Sequence, residues 1–219
     1  MSELKNVKTI FLDYDGTLHN SIGIYGPAFR KAYDYLVTGG LAPHREWQDH
    51  EISKWLGYSP KEMWQAFMPD LATDERTRAS QIISDEMQIM IESGRPLLYD
   101  GALETLQYLK DKGYKLVFIS NCRERYMESH NKTFSLDRYF DNMYCSESYD
   151  YLPKHEIFKR LRPQFPEEMV IIGDRFQDME VGYENGIHTV ACTYGFGTEE
   201  ELSGAEYKID SIEALRSIL

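Results

Sequence analysis

Thr9-Ile10-Phe11-Leu12-Asp13-Tyr14-Asp15-Gly16-Thr17 is an apolar run that stops at two carboxylates, a glycine and a hydroxyl. Lys8 to Leu12 reads as a buried strand. Such a strand does not end in two acids by default, because each carboxylate is costly to desolvate without a cation or donors. Alternation carried past the strand end predicts Asp13 and Asp15 on one side of the chain and Tyr14 on the other. Gly16 lets the backbone turn sharply, and Thr17 offers a hydroxyl and an amide. Two converging acids on a tight loop suit a hard cation, and a carboxylate beside such a cation can act as a nucleophile.

Outward from this stretch the chain divides into two kinds of pattern. From about Leu97 onward, strand-like and helix-like segments alternate. Strands are expected at Lys115–Ile119, Tyr139–Cys145, Met169–Ile172, Ile187–Cys192 and, weakly, Ala205–Ile209. Helices are expected around Leu103–Leu109, Tyr126–Phe134, His155–Leu161, Met179–Glu184 and Ile212–Leu219. Repeated β-then-α units imply a parallel sheet flanked by helices, an α/β core of Rossmann-like type. Residues 18–96 contain no convincing strand. Helical spacing recurs there at Pro27–Leu36, Trp47–Leu56, Pro60–Phe67 and Glu75–Ile91, with breaks at Gly39-Gly40, Gly57–Pro60 and Gly94–Pro96. The expectation is an inserted α-helical cap at 18–96 within a core formed by 1–17 and 97–219.

The bulk properties narrow the partners. At 219 residues, 42% hydrophobic and 13% aromatic, the chain can bury a substantial core. A net charge of −12 argues against nucleic acid or an anionic membrane surface as the main partner. An anionic substrate must then be met by a local positive site, most simply a metal with a few Lys or Arg. Cys122, Cys145 and Cys192 have no metal-type spacing and suit a reducing compartment. With no signal-like or membrane-length apolar run, the expectation is a cytoplasmic, soluble protein, a monomer by default.

In an open parallel sheet, ligands bind at the carboxyl ends of the strands. Those ends present Asp13, Asp15 and Thr17; Ser120 and Asn121, followed by a helix whose amides can hold an anion; Lys154 at a helix start; and Gly173-Asp174-Arg175 with Asp178. This set fits Mg²⁺ and a phosphoryl group. In these motifs and their order the chain resembles the haloacid dehalogenase superfamily phosphatases, in the phosphoglycolate-phosphatase-like branch with a helical cap after the first motif. Thr193–Gly197 and Trp55–Ser59 add to that likeness.

The resemblance implies the following chemistry. Asp13 attacks phosphorus to form an aspartyl-phosphate. Asp15 protonates the leaving oxygen and then takes a proton from the hydrolytic water, so it should hold a proton near neutral pH and sit off the metal. Mg²⁺ is held by the Asp13 carboxylate, the Asp15 main-chain carbonyl and Asp174, with Asp178 a further ligand or the residue that orients a metal-bound water. Thr17, Ser120, Asn121 and Lys154 bind the phosphoryl oxygens. Lys154 lies in Pro153-Lys154-His155-Glu156 rather than a Lys-Pro-acid sequence, which leaves Lys159 as an alternative. The implied substrate is a small phosphorylated metabolite: phosphoglycolate-like, a nucleotide or a sugar phosphate. A β-phosphoglucomutase-type isomerase uses the same acid pair, and a phospho-acceptor module shares the nucleophile but needs neither cap nor second acid.

Taken singly, several of these residues have plainer roles. Ser120 alone could be a helix cap, and Arg175 a solvated residue at a helix start. His19 reads as a water-exposed residue at the junction. Trp47, Trp55 and Trp64 read as packing residues. In the cap, Tyr58 and Lys54 are the candidates for substrate specificity, with Arg175 beside the fourth motif.

Overall fold

The computed structural model describes residues 4–165 and 168–219. Two compact units emerge. One takes the chain through Asn20 and resumes at Leu98 to Leu219; the other is Ser21–Leu97. Leu18, His19 and Asn20 belong with the sheet because Tyr99 N–H donates to the Leu18 carbonyl at 2.9 Å and His19 bridges to both Asp15 and Leu98.

The first unit is built on six strands: β1 (Val7–Leu12), β2 (Lys115–Ser120), β3 (Asn142–Cys145), β4 (Glu168–Gly173), β5 (His188–Cys192) and β6 (Tyr207–Ile209). Their order is β3-β2-β1-β4-β5-β6, with every pairing parallel. β1 lies at the centre because both its faces are apolar. Ile10 and Leu12 pack with Leu116, Phe118, Val170 and Ile172 on one face. Phe11 packs with Val117, Ile119, Phe158, Phe165 and Ile171 on the other. A strand buried on both sides reads as a continuous apolar run, which is the pattern seen at 9–12. The flanking helices are α5 (Ala102–Asp111), α6 (Glu124–Phe134), α7 (Lys154–Leu161) and α8 (Phe176–Asn185), numbered after four helices in the other unit. The expected terminal helix is instead a 3-10 segment, Ile212–Ser217.

Register brings the site together. Leu12 pairs with Phe118 and with Ile172. Two residues past each pairing, Ser120 and Asp174 therefore reach the sheet edge where Asp13 emerges. The Asp13 amide extends the ladder by donating to the Ile172 carbonyl at 2.9 Å.

The second unit holds α1 (Ile22–Thr38), α2 (Asp49–Ile52), α3 (Pro60–Phe67) and α4 (Thr73–Glu92). α1 begins before Pro27, which was expected at its start; the ring sits inside the helix, where it lacks only the one amide that would bond Gly23. The helix expected over Trp47–Leu56 is shorter, followed by a 3-10 turn at Ser53–Trp55. Trp47, outside any helix, packs edge-on to Phe29 and Tyr33. α3 starts at a capping box: Ser59 Oγ accepts from the Glu62 amide, and Glu62 Oε2 accepts from the Ser59 amide at 2.9 Å. No helix among the described residues is long and apolar enough to cross a membrane.

Candidate active site

The turn after β1 is shaped by Gly16, at φ +87°. A Cβ there would lie 2.1 Å from Asp174 Oδ2, so close approach as well as conformation requires glycine. Gly16 N–H donates to the His19 carbonyl, and the Leu18 and His19 amides both return to the Tyr14 carbonyl. The turn is thus closed on itself before the chain leaves the sheet.

Asp13, Asp174 and Asp178 are buried and place carboxylate oxygens within 4.8 Å of one another. Lys154 Nζ, 3% exposed, donates to Asp13 Oδ1 and Asp178 Oδ1 at 2.6 Å each. Burial lowers a lysine's affinity for its proton, but here the two carboxylates outweigh it and hold the ammonium firmly charged. Burial, aided by the Asp178 and Asp15 charges, pushes the Asp13 carboxyl up to about 7 against the pull of Lys154. Asp174 is also raised, through burial and then the charges of Asp13 and Asp178. Three acids with one buried ammonium leave the cluster short of positive charge.

Asp174 and Asp178 are set by local backbone. Phe196 N–H donates to Asp174 Oδ2 at 2.6 Å, while Asp174 Oδ1 is buried with no partner among the described residues. Asp178 Oδ2 accepts the Arg175 amide at the start of α8. Asp178 fits there because Gly173 has no side chain; a Cβ on it would meet Asp178 Cγ at 2.1 Å.

Asp15 belongs to a different environment. Its Oδ1 accepts from Tyr126 Oη at 2.7 Å and meets His19 Nδ1 at 3.0 Å. The strand ends at Leu12, and the hydrogen-bond partners of Asp15 are distinct from the Lys154 contact of Asp13. Burial would raise the Asp15 carboxyl, yet the hydrogen bonds and charge of His19, with Tyr126, outweigh it and lower it. Behind Asp15, Tyr14 Oη bonds His130 Nδ1 at 2.6 Å, and burial lowers His130 to about 3.

Other expectations resolve individually. His19 is fully buried rather than exposed, because its backbone closes the turn and its ring stacks on Tyr14. Arg175 is buried too, not solvated, and makes a two-pronged ion pair with Glu201. Thr17 Oγ1 is buried without a partner among the described residues, and the Thr17 carbonyl accepts from Tyr194 Oη. Ser120 is buried at the end of β2, its side chain bonded to the Cys122 thiol. Burial pushes that thiol well up, which removes it as a nucleophile. Asn121 lies in the turn before α6, whose first amide, Glu124 N–H, donates to Glu147 instead of facing an anion. Lys159 is exposed, and Lys154 alone of the two reaches the cluster. Lys54 and Tyr58 lie in the helical unit, where Lys54 Nζ sits over the Trp55 ring and Tyr58 packs edge-on to it. Sequence reasoning missed Tyr126 and His130, although their i, i+4 spacing put both on one face of the helix after Ser120.

The cluster suits a hard divalent cation on its own chemistry. It offers oxygen ligands only, an excess of negative charge, and one orphaned buried oxygen, Asp174 Oδ1.

Residues 10–192 match the family described as "Haloacid dehalogenase-like hydrolase". The chain is 23% identical to the pyrophosphatase PpaX of Bacillus pumilus over 200 residues, covering 90% of this chain and 88% of that one. It is 29% identical to a phosphoglycolate phosphatase of Haemophilus influenzae over 128 residues, 56% of this chain and 57% of the other. The crystal structure of a "predicted phosphatase" from Clostridium acetobutylicum superposes with a TM-score of 0.83 at 22% identity, covering 96% and 97% of the two chains.

Proposed function

Because the chain belongs to the haloacid dehalogenase-like hydrolases and is a phosphatase of that family, we propose that it hydrolyses a small phosphorylated metabolite with Mg²⁺ through an aspartyl-phosphate on Asp13. The observation that carries this reading is the buried Lys154 bridge between Asp13 and Asp178, beside the unpartnered Asp174 oxygen. A nucleophilic carboxylate is aimed and kept among charges that a cation and a phosphoryl group would balance.

Asp13, Asp174, Asp178 and the Asp15 main-chain carbonyl would hold Mg²⁺, which when bound neutralises and orients phosphoryl oxygens. The Asp13 carboxylate attacks phosphorus. As the bond to the leaving oxygen breaks, Asp15 transfers its proton to that oxygen. Water then attacks the aspartyl-phosphate, Asp15 takes the proton released, and phosphate departs from a regenerated Asp13. Lys154, Thr17, Ser120 and the Asn121 amide hold the phosphoryl oxygens throughout. His19 and Tyr126 hold Asp15 low, and the negative charge of an arriving phosphoryl group raises a neighbouring carboxyl and so favours loading it with a proton. The helical unit, inserted between the Asp15 turn and α5, acts as the cap that selects the substrate, with Lys54 and Tyr58 as contacts and Arg175 beside the acids.

The substrates favoured are phosphoglycolate-like acids, nucleotides and sugar phosphates; the relatives' names add pyrophosphate to the set to be tried. Phosphate release from such a panel with Mg²⁺, repeated with chelator and with Asp13→Asn, tests the proposal. Loss of turnover in both supports it, and full activity of Asp13→Asn with Mg²⁺ would sink it.

A further inference from the structure

Tyr126 donates to Asp15 Oδ1, so its oxygen can only accept from the third member of the trio, His19 Nδ1, 3.1 Å away. His19 Nδ1 must then carry its hydrogen, shared between Asp15 Oδ1 and the Tyr126 oxygen. On the far side, Tyr14 Oη and His130 Nδ1 share one hydrogen bond of 2.6 Å. Both Nε2 atoms are buried without partners among the described residues, in rings whose centroids are 4.6 Å apart. His130 thus backs His19 by ring packing, and Tyr14 in turn holds His130. Both bonds to Asp15 fall on Oδ1, its side chain is 17% exposed, and among the described residues no bond falls on Oδ2.

We propose that Tyr126 and His19, the latter backed by His130 and Tyr14, form a positioning relay that clamps Asp15 through Oδ1 and presents Oδ2 as the oxygen that exchanges a proton with the leaving group. This rests on the acid–base role of Asp15 given above and adds the residues that aim it. His19 and Tyr126 touch neither substrate nor phosphorus; they act through Asp15. The proton balance is unchanged: it leaves Asp15 Oδ2 for the leaving oxygen and returns to Oδ2 from the attacking water.

In the phosphoryl-transfer step, a misaimed acid slows only the substrates whose leaving oxygen needs its proton. An alkoxide departs poorly without a proton, whereas a nitrophenolate departs unaided. The test compares phosphoglycolate with p-nitrophenyl phosphate in Tyr126→Phe, His19→Ala and His19→Asn, the last placing an amide N–H near the position of Nδ1. Tyr126→Phe and His19→Ala should lower the single-turnover rate of phosphoryl transfer from phosphoglycolate, read as loss of substrate after acid quench, by about 10- to 100-fold at saturating substrate. Both should lower the same rate for p-nitrophenyl phosphate by less than about threefold, and His19→Asn should recover most of the His19→Ala loss. Equal losses on the two substrates, or none on either, would overturn the relay. If His19→Ala does not fold, Tyr126→Phe, which removes one oxygen and no packing volume, decides. Asp15→Asn run alongside separates the two levels. If it shows the leaving-group split and Tyr126→Phe does not, the relay alone fails; if Asp15→Asn lacks the split, the acid–base reading fails and the relay with it.

Discussion

Replacing Lys154 with methionine keeps most of the side-chain volume and removes the one ammonium that the acid cluster holds. The wild-type Nζ makes two contacts of 2.6 Å with its side chain 3% exposed, and Asp13 and Asp178 are as deeply buried. Its loss leaves three carboxylates, with oxygens within 4.8 Å of each other, without an ammonium among them, since the nearby Arg175 guanidinium is paired with Glu201. Breaking a buried pair from one side costs about 3–5 kcal/mol, since the partner charge stays desolvated. For a chain of this size each kcal/mol moves Tm by about 2–4 °C, so the drop should be about 6–20 °C. The assay is thermal or urea unfolding with chelator present. Two controls identify the cause. At acid pH the orphaned carboxylates take up protons, so the deficit should shrink from pH 8 to pH 5. Added Mg²⁺ should recover part of it by supplying positive charge. A deficit under about 1 kcal/mol in chelator, or one independent of pH and Mg²⁺, would refute the reasoning.

Other perturbations probe separate parts of the account. Asp13, raised by burial to about 7 in the folded, metal-free chain, binds protons more tightly there than unfolded. Its contribution to stability is therefore full below about pH 4 and lost as pH rises through about 7. Chelated protein should show that decline in urea titrations, and Mg²⁺ should flatten it. Gly16→Ala forces a Cβ to within 2.1 Å of Asp174 Oδ2 at a positive φ. It should cost about 1–3 kcal/mol and remove most phosphatase activity by displacing the Asp174 carboxylate from the acid cluster. Phe11→Ala opens a cavity between Phe158 and Phe165, whose rings lie 4.8 and 5.2 Å away. It should cost about 3–5 kcal/mol in chemical denaturation.

The sheet was legible because its strands are buried on both faces. Ile10, Phe11 and Leu12, and again Val170, Ile171 and Ile172, leave no polar residue to disguise the period. Asp13, Asp174, Asp178 and Lys154 were legible for the opposite reason: charged groups stand where such strands end, and isolated buried charge is too costly to be incidental. His19 was misread because its burial comes from a turn that folds back on Tyr14, and no sequence period encodes that closure. The lowered Asp15 depends first on His19, whose burial no period encodes, and then on Tyr126, 111 positions away and brought near by strand order rather than by local pattern. The Phe196 amide on Asp174 was invisible likewise, since a backbone donor carries no residue identity.

The central claim is that Asp13 becomes covalently phosphorylated during turnover. Rapid acid quench of a single turnover with phosphate-labelled substrate, followed by peptide mass mapping, tests it directly. The account predicts a transient phosphoryl group on the peptide carrying Asp13, acid-stable and hydroxylamine-labile, and none in Asp13→Asn. Turnover with no label on the protein at any quench time, or label on a residue other than Asp13, would contradict it.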